Sequence, residues 1–106
     1  MILEVADIRV KKGQQAKFEE AVQLALGTVF PNAKGFCSHE FHRCIENPAR
    51  YVLQLTWETL EDHTVAFRGS PLYAQWRSLV GEYFAQPPHV EHFERVSSAV
   101  TDSRAE

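Results

Sequence analysis

Between Tyr51 and Glu58 the chain alternates without a break. Tyr51, Leu53, Leu55 and Trp57 share one parity; Val52, Gln54, Thr56 and Glu58 share the other. A period of two is that of a strand with two unlike faces. Ile2 to Val10 reads as a second strand, with Ile8 and Val10 on one face and Leu3 and Val5 on the other. Apolar residues on both sides imply that both sides are covered. From Gln14 to about Val29 the period lengthens. Phe18, Ala21, Val22, Ala25 and Val29 fall on one helical stripe, which Pro31 and Gly35 bring to an end.

Phe36 to Ile45 reads as a strand that forms a hairpin with Tyr51–Glu58 across an Asn47-Pro48 turn. Thr59 then opens a helix as its cap, with Asp62 at the capping-box position, and this helix stops near Gly69. Ser70 and Pro71 suit the cap and first position of a further helix. Its stripe is Leu72, Trp76, Leu79, Val80 and Tyr83, and Pro87 and Pro88 close it. A last strand covers His89 to Val96. The expectation is one domain over residues 1–96 and a flexible tail over 97–106 that has little to bury.

Strand, helix, strand, strand, helix pair, strand is the split β-α-β order of an α+β, ferredoxin-like fold with a four-stranded antiparallel sheet. Helices would cover one face of that sheet. The other face carries Leu3, Val5 and Val52 among polar residues. A second copy packed on it would give a homodimer with the form of a dimeric α+β barrel.

Composition narrows the function classes. The net charge is −3 and the 11 Lys and Arg residues are scattered, which speaks against a nucleic-acid partner. No apolar run approaches the roughly 20 residues that span a bilayer, so no membrane role is expected. The opening "MILEVADIRV" lacks a leader's basic start and long apolar stretch. Cys37 and Cys44 are too few for a disulfide framework, so a cytoplasmic protein with free thiols is expected. Seven residues apart on one strand, they would lie roughly 20 Å from each other on opposite faces.

The candidate chemistry gathers around His63. On a helix, Leu60, His63, Thr64 and Phe67 lie within one stripe facing the sheet. Trp57 leaves its strand nearby and Trp76 points inward from the next helix, so the three rings can line one pocket. The alternative is a core histidine held by a backbone carbonyl or by Glu58. As pocket wall, His63 should be replaceable by alanine for about 1 kcal/mol or less. Tyr51 and Phe67 are further aromatic candidates for the wall, although a sheet core alone accounts for such residues. Arg68 either holds an anionic oxygen or sits solvated at the helix C-terminus. Cys37, His39, His42 and Cys44 are metal-ligand types, yet the first two face away from the last two, and His89 and His92 also lie on opposite faces. No metal site is expected. Glycine patterns for nucleotide or flavin are absent from the sequence, so no cofactor is expected.

Three stretches, "ILEVADIRVKKGQQAKFEEAV", "RYVLQLTWETLEDHTVAFRGSPLYAQW" and "PPHVEHFE", together resemble the antibiotic biosynthesis monooxygenase domain over about Met1 to Arg95. Trp57, Glu58 and His63 match that family's strand ending in Trp-Glu, followed by a helix carrying a histidine. The resemblance implies a dimeric α+β barrel with a cavity between sheet and helices in each subunit. Its members include oxygenases of polycyclic phenols, haem-degrading enzymes and an isomerase of a signalling sugar. Haem degradation calls for an Asn in the first strand, whereas the first Asn here is Asn32. The first reading that the resemblance implies is a cofactor-independent monooxygenase of a phenolic or quinol-like aromatic substrate, with dioxygen as co-substrate. In that reading His63 is the catalytic base, Trp57, Trp76, Tyr51 and Phe67 shape the pocket, and Arg68 steadies an oxyanion. A non-catalytic ligand-binding or stress-responsive dimer needs the same pocket, as does a non-oxidative isomerase.

Overall fold

The structure, a computed structural model, describes residues 1–100. Strand β1 (Ile2–Arg9) leads into helix α1 (Gln15–Thr28) and a short 3-10 turn, Phe30–Asn32. Strands β2 (Phe36–Arg43) and β3 (Arg50–Trp57) follow. A π-helical segment, Asp62–Phe67, precedes helix α2 (Pro71–Val80), and strand β4 (His89–Glu94) closes the fold. The sheet is antiparallel and four-stranded in the order β2-β3-β1-β4, the ferredoxin-like arrangement expected from the element order. Residues 97–100 carry no regular structure; the rest of the expected tail lies outside the described residues.

The core lies between the sheet and the helices. Tyr51, Leu53, Leu55 and Trp57 are each no more than 2% exposed, as their shared parity requires. Burying a side chain of this kind stabilises the fold by roughly 1.5–3 kcal/mol. Phe18, Val22, Ala25 and Leu26 of α1 pack on them, and Ala6, Ile8 and Val10 extend the same layer. Leu3, Val5 and Val52 lie half-buried on the opposite face, which no helix among the described residues covers.

Two local features depart from the sequence reading. The segment after Thr59 is wound as a π-helix rather than an α-helix. Thr59 does cap it, its hydroxyl accepting from Asp62 N at 3.1 Å. The Arg68 N–H then donates five residues back, to the His63 carbonyl at 3.2 Å. The wider turn brings Asp62, His63 and Phe67 inward and leaves Leu60, expected in the inward stripe, 39% exposed. The second departure is a bulge between Phe36 and Ser38 in β2. It takes Cys37 out of the strand's alternation and breaks the parity on which its expected orientation rested. Cys37 and Cys44 are both free.

A buried carboxylate and two histidines beside an apolar cavity

The even-numbered residues of β1 point toward the helices, and one of them is Glu4. Only 6% of it is exposed. Glu4 lies opposite Leu55 on β3 and opposite His92 on β4. Cross-strand partners project to the same face, so the carboxylate and the His92 imidazole stand side by side above the sheet. The π-turn lowers His63 onto them. His63 Nε2 lies 3.3 Å from Glu4 Oε1, and His63 Nδ1 lies 2.8 Å from His92 Nε2. The Trp57 indole donates to Glu4 Oε1 at 2.9 Å and its ring stacks on His63 at 5.2 Å. Trp57 Nε1, Glu4 Oε1, both ring nitrogens of His63 and His92 Nε2 therefore each meet another member of the cluster, in keeping with their burial.

The electrostatics follow from that burial. Desolvation pushes the Glu4 carboxyl up from 4.5 to about 7, against the opposing pull of the Trp57 hydrogen bond and the Arg68 charge. Desolvation also pushes His63 down from 6.5 to about 4, with Arg68 and His92 acting in the same direction. Burial and then Arg68 lower His92 as well. Near neutral pH both imidazoles are uncharged and the carboxyl is poised to take up or release a proton.

Glu4 and His63 open onto a cavity of about 360 Å³ between the sheet and the helices. Its remaining wall is largely apolar, including Ile8, Phe30, Leu53, Leu55, Phe67, Trp76 and Val90. Arg68, Tyr73 and Arg77 supply polar groups at the helical side. Among the residues singled out in the sequence, His63, Phe67, Arg68 and Trp76 thus meet at one cavity. Trp57 does not reach its wall: it is fully buried behind His63 and acts on the site through Glu4. Tyr51 stands elsewhere. Its hydroxyl donates to Glu19 at 2.6 Å beside an Arg43–Glu19 ion pair of 2.7 Å, in an open groove between α1 and β2. Burial, followed by the Glu19 contact, pushes the Tyr51 phenol up to about 12.

His63 finds its partners in Glu4 and His92, not in Glu58, which is exposed. Sequence reasoning passed over Glu4 and weighed His92 only as a metal ligand. For Glu4 the available signal was its place in the inward series of Ile2, Ala6 and Ile8, where a carboxylate is costly unless it is partnered. For His92 the signal was parity: it faces the core, whereas His89 faces out.

The antibiotic biosynthesis monooxygenase family model matches residues 1–79. The uncharacterized protein YczJ of Bacillus subtilis (strain 168) is 38% identical over 96 residues, covering 91% of this chain and all of that protein. A crystal structure of a candidate antibiotic biosynthesis monooxygenase from Bordetella bronchiseptica is 45% identical, with a TM-score of 0.87, covering 91% of this chain and 97% of that one. SnoaB, a cofactor-independent oxygenase from Streptomyces nogalater, has a TM-score of 0.78 at 18% identity, covering 92% of this chain and 94% of its own; this is a likeness of fold.

Proposed function

Because the chain belongs to the antibiotic biosynthesis monooxygenase family, we propose that it is a cofactor-independent monooxygenase of a small phenolic or quinol-like substrate. The observation that carries this reading is the Glu4–His63 pair on the wall of an otherwise apolar cavity. A cavity of this volume falls in the range of about 300–1,000 Å³ typical of ligand sites.

The chemistry begins with removal of the phenol proton. His63 alone is a weak base, since burial holds it near 4. Glu4, held near 7, is tuned to the task, and His63 orients it. The base is therefore the pair, with the carboxylate as proton acceptor. Arg68 faces the developing aryloxide, and Phe67 and Trp76 flank the ring. The electron-rich anion then reacts with dioxygen at a ring carbon. One oxygen atom remains there as a quinone carbonyl; the other leaves as water with the displaced hydrogens.

The protein is proposed to act as a homodimer, with the half-buried face of Leu3, Val5 and Val52 as the contact. Two free thiols fit a reducing compartment, so the cytoplasm is the proposed location.

Oxygen uptake with a panel of hydroquinones and anthrones, after thorough removal of metal and flavin, tests the reading. Uptake is expected, with kcat/KM rising with pH through about 7 as Glu4 ionises. Glu4→Gln should lower kcat by about 10²-fold or more. No uptake with any substrate, while the same compounds bind, would leave a binding module in its place.

A further inference from the structure

A base that faces a cavity must return its proton to water even when a ligand fills the space in front of it. Glu4 has no direct route, being 6% exposed. A lateral route exists. Glu4 Oε1, the two ring nitrogens of His63 and Nε2 of His92 form a continuous series, with gaps of 3.3 and 2.8 Å. His92 is half-buried on β4, an edge strand of the sheet, and lines no part of the cavity. With its Nε2 engaged, Nδ1 is the atom left to meet water.

We infer that His63 and His92 form a proton relay that connects Glu4 to solvent through the edge of the sheet. In the loaded state the Glu4 hydroxyl donates to His63 Nε2, His63 Nδ1–H donates to His92 Nε2, and His92 carries its proton on Nδ1. Discharge moves three protons one place each. Glu4 gives its proton to His63 Nε2, His63 passes the one on Nδ1 to His92 Nε2, and His92 releases its Nδ1 proton to water. One proton leaves, Glu4 becomes a carboxylate, and each imidazole ends neutral in its other tautomer.

The surroundings favour this concerted exchange over a charged intermediate. Among the described residues, Arg68 at the end of the π-turn and Arg77 of α2 are the cations that line the cavity, and Arg68 opposes an imidazolium on either ring. Tyr73 of α2 and Trp57 of β3 are the polar neighbours on the remaining sides. His92 touches no substrate in this arrangement. It is a positioning and relay residue that acts through His63.

The relay rests on Glu4 as the proton acceptor, but its test needs no substrate. Full-length protein labelled with ¹⁵N-histidine reports each ring's tautomer by long-range ¹H–¹⁵N NMR between pH 5 and 9. Both rings should exchange Nδ1–H for Nε2–H with one midpoint near 7, shared by the Trp57 indole resonance. A His63 that keeps one tautomer across this range, or that becomes an imidazolium at the midpoint, would overturn the relay. A second measurement follows Trp57 fluorescence after a rapid pH jump. His92→Phe should slow the relaxation at least tenfold, and added imidazole should restore it; an unchanged rate would overturn the relay. A relay found in a protein that takes up no oxygen would leave this inference standing and remove the oxygenase.

Discussion

Glu4 and His63 place opposite demands on stability as pH changes, and replacing Glu4 by Gln separates them. Glu4 titrates near 7 in the folded chain and near 4.5 when free of it. Its folded pKa is raised, so its contribution is complete below about 4.5 and is lost as pH climbs to 7. His63 titrates near 4 when folded and near 6.5 otherwise. Its folded pKa is depressed, so its contribution is complete above about 6.5 and is lost as pH falls to 4. Each interval of about 2.5 pH units corresponds to roughly 3 kcal/mol. Discounted for solvent screening, about 2 kcal/mol remains for each. Between pH 4.5 and 6.5 the two slopes oppose each other and largely cancel. Glu4→Gln keeps an acceptor for the Trp57 indole and removes one slope. The variant and the parent chain should be equally stable near pH 4.5, and the variant should be about 2 kcal/mol more stable at pH 8. Urea melts at matched protein concentration across pH 4.5–8 give this difference directly. A difference that stays constant over the range would refute the buried, protonatable Glu4 and the pH profile built on it.

Trp57→Phe removes the indole donor to Glu4 and leaves a partial void, and denaturant melts should show a cost of about 2–4 kcal/mol, larger at pH 8 than at pH 5. His63→Ala should cost about 2 kcal/mol rather than the small amount expected of a pocket wall, because the ring is 3% exposed, stacked on Trp57, hydrogen-bonded to His92 through Nδ1 and 3.3 Å from Glu4 Oε1 at Nε2. Gly35→Ala should cost at least about 2 kcal/mol by the same assay, since Gly35 has φ +79° and a methyl group there would drive into the Asp62 side chain. Sedimentation at micromolar concentration should give twice the chain mass, and Leu3→Asp on the open sheet face should shift it to the monomer. A parent chain that sediments as a monomer removes the proposed interface.

The backbone plan was legible because its signals are periodic. The alternation from Tyr51 to Trp57 and the spacing of Phe18, Val22 and Ala25 leave little choice of element or face. Ser70 and Pro71 also act as read, with Ser70 Oγ accepting from Leu72 N at 3.2 Å. The site was legible only in part. His63, Phe67, Arg68 and Trp76 could be brought together because neighbouring elements carry them. Glu4 and His92 lie at opposite ends of the chain, and strand pairing alone makes them neighbours. No periodicity reports such a meeting; a polar residue in an inward-facing series is the one local sign of it. The π-turn was hidden for a different reason. Residues spaced three, four and seven apart satisfy an α-helix, and nothing in that spacing tells how wide the turn is wound.

That wider turn bears on how such a site is inherited. A π-turn holds roughly one residue more than the α-turn it replaces, and the surplus position is what lets Asp62, His63 and Phe67 all face inward. Its natural unit of change is a single-residue insertion or deletion. Removing one residue between Leu60 and Ala66 would restore α winding and rotate the ring of His63 away from Glu4, although every side chain of the cluster would still be encoded. Grafting the cluster onto a related scaffold would require carrying the extra residue along with the histidine. Among related chains, length between the Trp-Glu pair and the Ser-Pro cap is therefore a sharper sign of a shared site than the presence of a histidine.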